Sequence, residues 1–253
     1  MTEQWKIAAL GALGGAALGI AVVFGSAALG VLPQRAAPLD GRQVRAYLLG
    51  NPHILVEVSQ RLEDDQAAAA DAEQQAAFNA IGLKAFFDPK VAFVTGPADA
   101  KATLVEFFDY NCVHCRNVFP ALKKYYEAHK NDTRFAFIDY PIFGKLSEAA
   151  ARAAIAARRQ PDKYVAFTFA LMGEKAAIDE TLILDDARKA GLDIPKLLAD
   201  MKDPAVEQTL VAAHVLARRL KITGTPTFIF NGRVRPGELK YEDLRDVMAG
   251  KAI

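Results

Sequence analysis

Two cysteines separated by two residues follow closely on an apolar run, and this arrangement constrains the fold more than any other feature. Residues 103–108 read TLVEFF, an apolar and β-branched stretch that predicts a buried strand. After the turn at 109–111, Cys112 and Cys115 fall in the first turn of a predicted helix. A buried strand that leads through a short turn into a helix is typical of an α/β domain.

The remainder of the C-terminal part, from residue 89 onward, continues this pattern. Strands are predicted at 91–94, 103–108, 134–139, 227–230 and near Val234, a helical block at about 145–222, and a closing helix at 241–249. Asn231-Gly232 lies between the last two strands and predicts a hairpin. The sequence therefore indicates one catalytic domain over 89–253 with a helical insertion.

The cysteine spacing favours redox chemistry. The start of a helix offers unpaired N–H groups and a positive dipole to Cys112, which stabilises a thiolate there and makes Cys112 the nucleophile. Cys115 lies one turn deeper and is predicted to be the resolving thiol, while His114 can donate toward the Cys112 thiolate. The same cysteine pair is also compatible with a structural disulfide or with two ligands of a metal site.

Two further features fit a redox site. Glu106 lies in the middle of the predicted buried strand, where burial raises the pKa of a carboxyl and allows proton exchange with Cys115. An acid paired with a lysine is the alternative for this position. Thr225-Pro226 precedes an apolar strand, and a cis bond there would present the Thr225 backbone to an extended substrate. Proline at the start of a strand is common, however, so this feature is weak by itself.

Composition excludes several other classes of protein. The 253 residues carry 31 Lys and Arg against 30 Asp and Glu, a formal net charge of +1, so no basic excess points to nucleic acid. Two cysteines cannot staple a small disulfide-rich fold or supply a four-cysteine zinc site. No cofactor is expected beyond the redox-active Cys112–Cys115 disulfide.

Residues 7–32 contain no charged side chain. As a helix this run would be about 39 Å long, which is enough to cross a hydrocarbon core of about 30 Å. We expect residues 1–32 to be either an uncleaved membrane anchor or a cleaved signal peptide. Lys6 favours a cytoplasmic N-terminus, so the rest of the chain would be exported to an oxidising compartment.

Residues 33–88 are predicted to be a helical segment. Leu48, Leu55, Val58 and Leu62 follow helical, heptad-like spacing, and Asn51-Pro52 should divide the segment into two helical pieces. The apolar stripe is too narrow to form a core alone. The segment should therefore pack either on the domain that follows or on copies of itself. A solvated spacer between the membrane and the catalytic domain is the remaining explanation.

The C-terminal motifs resemble the thioredoxin-fold disulfide oxidoreductases of the DsbA type. The similarity lies in Leu104–Pro120 (LVEFFDYNCVHCRNVFP) and Gly224–Phe228 (GTPTF). The resemblance implies a thioredoxin fold with an inserted helical block. Within it, Cys112 and Cys115 match the redox pair, Glu106 matches the buried acid, and Thr225-Pro226 match the cis-proline element. Val113 replaces a proline often found in DsbA, which leaves the choice between oxidant and isomerase open.

Two further stretches look like the ScsC, or suppressor-of-copper-sensitivity, group. These are Arg45–Leu62 and Asp139–Ala157. This likeness implies disulfide isomerase activity on misoxidised proteins, oligomerisation through residues 40–88, most simply as a trimer, and a membrane thiol reductase or oxidase as partner.

The leading hypothesis is a periplasmic thiol–disulfide oxidoreductase of the cell envelope that acts on unfolded or misoxidised proteins. A copper- or metal-binding protein that uses Cys112, Cys115 and His114 is the first alternative, because soft thiolates suit copper(I). A membrane-tethered interaction module with a vestigial cysteine pair is the second. Glu106 and Pro226 have redox roles but no evident metal role, so they favour the leading hypothesis.

Overall fold

The computed structural model describes residues 40–251. Within that range no helix combines the length and the apolar character needed to cross a membrane. The predicted signal or anchor at 7–32 lies outside the described residues.

In the described residues, seven helices and five strands form the catalytic domain after an N-terminal pair of helices. The helices are α1 Gly41–Gly50, α2 His53–Ile81, α3 Val113–His129, α4 Lys145–Ala157, α5 Pro161–Gly173, α6 Glu180–Lys189, α7 Ile194–Asp200, α8 Pro204–Arg219 and α9 Tyr241–Met248, with a 3₁₀ turn at Leu83–Phe87. The strands are β1 Phe93–Thr95, β2 Ala102–Phe108, β3 Thr133–Asp139, β4 Thr227–Phe230 and β5 Arg233–Pro236. Helices α4–α8 separate β3 from β4, which is the predicted helical insertion.

The five strands form one mixed sheet in the order β1-β3-β2-β4-β5. β2 pairs with β3 in parallel, and the other pairs are antiparallel. β2 is therefore central and buried along almost its whole length, as the apolar TLVEFF run predicts. In this register Glu106 lies between Phe137 on β3 and Phe228 on β4. The α/β architecture predicted from the sequence is confirmed.

Alternating side chains of β2 enter two separate hydrophobic clusters. Leu104 and Phe108 pack with residues of α3 and of the helical insertion. Val105 and Phe107 pack on the opposite face with residues of α8 and of the segment around Phe86. Because the two clusters cover both faces of the sheet, the redox turn at the end of β2 rests on a rigid central strand.

The N-terminal helices divide as the Asn51-Pro52 pair predicts, since α1 ends at Gly50 and α2 begins at His53. The chain forms two compact units whose boundary falls at Asp64–Asp65, within α2. The sequence predicts this boundary after residue 88, so the observed boundary lies closer to the N-terminus. The physical reason is that Phe78 and Phe86 stack at 5.5 Å and are buried in the core of the catalytic unit.

Candidate active site

The turn after β2 places both cysteines at the start of α3. The carbonyl of Asp109 accepts from the Cys112 N–H at 3.1 Å, and Cys112 is the N-cap residue of α3. Cys115 follows in the first turn, and both cysteines are free thiols with no exposed surface. Because exposure does not distinguish them, their difference in reactivity depends on the surroundings of each sulfur.

The surroundings of Cys112 favour its thiolate. Its pKa is lowered from 9.0 to about 5, first by a hydrogen bond from the Cys115 thiol, against the opposing effect of burial, and then by Thr225 and by the N–H groups of Cys115 and His114. As a thiol, Cys112 donates to the Thr225 carbonyl at 3.2 Å. The Thr225 hydroxyl has no other partner and is free to donate to the thiolate. These donors at a helix start are the stabilisation that the sequence predicts.

Cys115 shows the opposite behaviour. Burial raises its pKa well above the ordinary thiol value, and donation to the Cys112 sulfur and the charge of Glu106 raise it further. At neutral pH the pair therefore consists of a Cys112 thiolate and a protonated Cys115. This is the distribution expected of a nucleophile and a resolving thiol.

Glu106 is 2% exposed and lies beneath the cysteine pair. Burial raises its pKa from 4.5 to about 8, and the Cys112 charge adds to the increase. Its Oε1 has no hydrogen-bond partner. The small cavity around it is lined by Phe108, Phe119, Leu122, Phe137, Tyr164, Thr168, Phe169 and Met172. None of these side chains is cationic, so the lysine-paired alternative for Glu106 is not observed in this lining.

The loop before β4 closes the site from the other side. The Thr225–Pro226 peptide bond is cis, and Thr225 contacts the Cys112 sulfur through its carbonyl. The Pro226 carbonyl accepts from the Gly237 N–H at 2.9 Å, which ties this loop to the segment after β5. The structure therefore brings together Cys112, Cys115, Glu106 and Thr225-Pro226 as the sequence suggested.

The His114 side chain is placed differently from the expectation. Its Nδ1 bonds Oε1 of Glu238 and not the Cys112 sulfur, and only the backbone N–H of His114 contributes a hydrogen bond to Cys112. The physical reason is that a carboxylate lies within reach of the exposed imidazole and is a strong acceptor. The imidazole still lies close enough for the Cys112 charge to contribute to raising its pKa.

The sequence indicates Asp109 only as part of a turn, but its buried side chain organises the site. Oδ1 accepts from the Asn111 N–H at 2.8 Å. Oδ2 accepts from the N–H groups of Ile142 and Phe143 at 2.7 and 3.0 Å. One side chain thus fixes the redox turn and joins it to the loop between β3 and α4. An acid directly after a buried strand is the signal that could have identified it.

Arg116 and a buried ion pair complete the support of the turn. The guanidinium of Arg116 donates to the Tyr110 carbonyl at 2.7 Å and to Asn111 Oδ1 at 2.9 Å. Below it, Arg158 and Asp139 form an ion pair of 2.6 Å in which both side chains are largely buried. Burial raises the pKa of Asp139, and the Arg158 charge opposes that rise. No local pattern in the sequence indicates the Arg116 contacts or the Arg158–Asp139 ion pair.

Metal ligation is less well supported than redox chemistry. Across residues 40–251, no group of three or more His, Cys, Asp or Glu side chains is arranged to hold a metal ion. With the His114 imidazole bound to Glu238, the cysteine pair is left with two thiol ligands. The metal-binding alternative is therefore not supported.

Two families of known proteins match the chain. The DSBA-like thioredoxin domain matches residues 103–249, and the copper resistance protein ScsC N-terminal domain matches residues 41–69. The first match covers more than half of the chain and includes both cysteines and Thr225-Pro226. The second covers α1 and the beginning of α2.

Solved structures agree with this assignment. A thioredoxin-like oxidoreductase from Silicibacter pomeroyi DSS-3 is 38% identical with a TM-score of 0.61, over 68% of this chain and 99% of that one. A linker-deletion mutant of ScsC from Proteus mirabilis is 27% identical with a TM-score of 0.64, over 85% of this chain and 97% of that one.

Curated sequences give two kinds of relative. Disulfide bond formation protein D of Bacillus subtilis is 27% identical over 166 residues, which are 61% of this chain and 74% of that protein. A Na⁺/H⁺ antiporter NhaA of Herminiimonas arsenicoxydans is 30% identical over 146 residues, which are 58% of this chain. The chain spans 23% of the length of that antiporter.

The family match, the sheet order and the site geometry agree. A thiolate-stabilised cysteine at a helix start, a deeper protonated cysteine and a buried acid lie beside a cis-proline loop. This chain belongs to the DSBA-like thioredoxin domain family, and it is a thiol–disulfide oxidoreductase.

Proposed function

We propose that this protein is an exported enzyme that isomerises disulfide bonds in proteins of the cell envelope. The observation that carries the proposal is the opposite shift of two thiol pKa values within one helical turn, downward at Cys112 and upward at Cys115. Such a pair combines a ready nucleophile with a thiol that stays protonated until a mixed disulfide needs to be resolved.

In the proposed reaction, the Cys112 thiolate attacks one sulfur of a mispaired client disulfide and forms a mixed disulfide, and the other client sulfur leaves as a thiolate. A different client thiolate then attacks the client sulfur bound to Cys112. A new client disulfide forms and the Cys112 thiolate is released, so no net electrons are transferred. If the client does not rearrange, Cys115 attacks Cys112 and releases a client carrying both electrons, which leaves the enzyme oxidised.

Cys115 must lose a proton before it attacks. We assign that proton to the ionised form of Glu106. The Cys112 charge contributes to raising the pKa of Glu106 to about 8, and this charge is absent while Cys112 is bound in the mixed disulfide, so the pKa falls and Glu106 can accept the proton. Thr225 and Pro226 are proposed to receive the extended client strand beside the Cys112 sulfur, because backbone groups at such an edge pair with extended peptides.

The N-terminal helices support self-association. The large apolar side chains Tyr47, Leu49, Leu55, Val56, Val58 and Leu62 of α1 and α2 are each more than half exposed. A second and third copy of the segment would bury the stripe formed by Leu55, Val58 and Leu62, and we propose a trimer. Several Cys112 sites on one assembly keep a captured client close to the next site, which favours isomerisation through effective concentration.

Oligomerisation and activity can be tested together on residues 33–253. Leu62→Glu puts a charge into the apolar stripe, and the control Gln60→Glu puts the same charge on the opposite side of α2. We expect light scattering to give a trimer for the parent and the control, and a monomer for Leu62→Glu. The monomer should lose activity on a scrambled-disulfide substrate and keep oxidase activity on a reduced one. A monomeric parent, or a monomeric variant with full isomerase activity, would refute the proposal.

We further propose that the enzyme works in the periplasm and that a membrane thiol reductase keeps Cys112 and Cys115 reduced. The support is the charge-free run at 7–32, whose length and composition suit a signal or an anchor, together with the need of an isomerase for a reduced active site. Alkylation of the free thiols in periplasmic extracts measures the reduced fraction directly. A protein found fully oxidised there would favour an oxidase paired with a membrane oxidase.

A further inference from the structure

Glu238 lies at the edge of the redox site and holds the start of α3. Its Oε1 bonds Nδ1 of His114 at 2.5 Å and accepts from Nδ2 of Asn117 at 3.1 Å. The residue before it, Gly237, donates its N–H to the Pro226 carbonyl. Glu238 therefore connects the cysteine helix to the loop that faces the Cys112 sulfur.

His114 is the donor and Glu238 is the acceptor in this contact. A carboxylate only accepts hydrogen bonds, so Nδ1 of His114 carries the shared proton. The hydrogen bond from His114, followed by that from Asn117, lowers the pKa of Glu238. The hydrogen bond to Glu238 is in turn the largest cause of the raised pKa of His114.

We propose that Glu238 is a positioning residue that weakens the oxidising power of the Cys112–Cys115 disulfide by holding the His114 imidazole away from the Cys112 sulfur. The inference rests on the proposed role of Cys112 as the exchanging thiolate. Glu238 would then limit how strongly the Cys112 thiolate is stabilised.

The direction of the effect follows from the hydrogen bond. An imidazole N–H free to donate to Cys112 would stabilise the thiolate, and stabilising the reduced form makes a disulfide a stronger oxidant. Glu238 occupies that N–H. A weaker oxidant remains reduced more readily after each turnover, which suits an isomerase.

The other cation beside the cysteines does not replace the imidazole. Arg116 is close enough for its charge to interact with Cys112, but its guanidinium donates to the Tyr110 and Ala176 carbonyls and to Asn111. Reorientation of the His114 side chain, by contrast, would place an N–H donor next to the Cys112 sulfur.

The redox equilibrium with glutathione measures the effect. Two glutathione thiols supply two electrons and form one disulfide, while the Cys112–Cys115 bond breaks. Of the two protons released, Cys115 retains one, and the other passes to solvent because Cys112 remains a thiolate.

The experiment compares the wild-type protein with Glu238→Ala, Glu238→Gln, His114→Ala and the double variant His114→Ala/Glu238→Ala. We expect Glu238→Ala to shift the equilibrium toward reduced protein about tenfold, which is about 30 mV for two electrons. The Cys112 pKa, read from thiolate absorbance, should decrease by about one unit. Glu238→Gln should shift both quantities in the same direction, and it preserves the size of the side chain if Glu238→Ala disturbs the loop.

Two controls test the assigned route. Glu242 is an exposed acid in the first turn of α9, and Glu242→Gln should leave both quantities unchanged. In the His114→Ala background, removing Glu238 should change the equilibrium less than about twofold, because the imidazole through which it acts is absent.

An unchanged or less oxidising disulfide in both Glu238 variants would refute this inference. So would an equal shift with and without His114, which would show a direct effect of charge. Failure of the wild-type protein to equilibrate with glutathione would instead refute the proposed function, and this inference with it.

Discussion

Replacing Glu106 with glutamine should make the reduced protein more stable at alkaline pH and slower in exchange. The folded protein holds the Glu106 proton up to about pH 8, whereas the unfolded chain releases it near 4.5. Between these values the unfolded state binds fewer protons, so unfolding becomes more favourable as pH rises. Glutamine has the same shape, carries no charge at any pH and removes this loss.

The magnitude follows from the displacement of the Glu106 pKa. Each pKa unit corresponds to 1.36 kcal/mol, so a rise from 4.5 to about 8 contributes at most about 5 kcal/mol. Burial causes most of the shift and the Cys112 charge adds a smaller part, which is present only in the reduced protein. We therefore expect a gain of about 3–5 kcal/mol in the reduced protein above pH 8, and a smaller one in the oxidised protein. Near pH 4.5 the two proteins should be equally stable.

Urea unfolding at a series of pH values, with the cysteines kept reduced, measures these free energies. The exposed substitution Glu242→Gln is the matched control and should run parallel to the wild type. Thiol–disulfide exchange by Glu106→Gln should be slower near neutral pH, because the Cys115 proton has lost its acceptor. A Glu106→Gln protein that is less stable than wild type at pH 8, or a difference that does not vary with pH, would refute the reasoning.

Three further predictions concern neighbouring residues. Alkylation of the reduced protein should label Cys112 first, with a rate that rises through pH 5 and then levels off; preferential labelling of Cys115 would contradict the pKa assignment. Cys115→Ser should accumulate mixed disulfides with client proteins on non-reducing gels, whereas Cys112→Ser should accumulate none, because the nucleophile is absent. Arg158→Met should cost about 3–5 kcal/mol in urea unfolding because it leaves Asp139 buried without its partner. Adding Asp139→Asn should recover part of that loss, and no recovery would show that the ion pair is not the cause.

Local sequence patterns were sufficient for the path of the chain through the redox turn. An apolar run, a short polar turn and a helix start follow one another within residues 103–115, so no distant contact was needed to place Cys112 and Glu106. The cis-proline loop lies far away in sequence and could be connected to the cysteines only through resemblance to a family. The contact between Cys112 and the Thr225 carbonyl now connects them physically.

Contacts between residues distant in sequence were the part that local patterns did not reveal. His114 and Glu238 are 124 positions apart, and an exposed glutamate before a helix carries no sign of its partner.

The boundary of the N-terminal segment lies at Asp64–Asp65 and not after residue 88 for a similar reason. The alanine-rich part of α2 looks solvated, yet Gln75 bonds the Gly232 carbonyl and Phe78 is buried against Phe86. Strand β1 begins at Phe93 and not at Val91 because the Asp88 carbonyl holds Val91 in a turn.

The opposite shifts of the two thiol pKa values also determine how many protons accompany the two electrons of reduction. Above about pH 5 the reduced site keeps Cys112 as a thiolate and protonates only Cys115, so each reduced disulfide takes up one proton and not two. One proton changes the equilibrium constant tenfold for each pH unit, which is about 30 mV for this couple. An ordinary dithiol changes by twice as much. Glu106 adds a fraction of a proton near neutral pH, because its pKa rises when Cys112 becomes a thiolate. The reduction potential of this domain therefore depends less on the acidity of its surroundings than that of an ordinary dithiol.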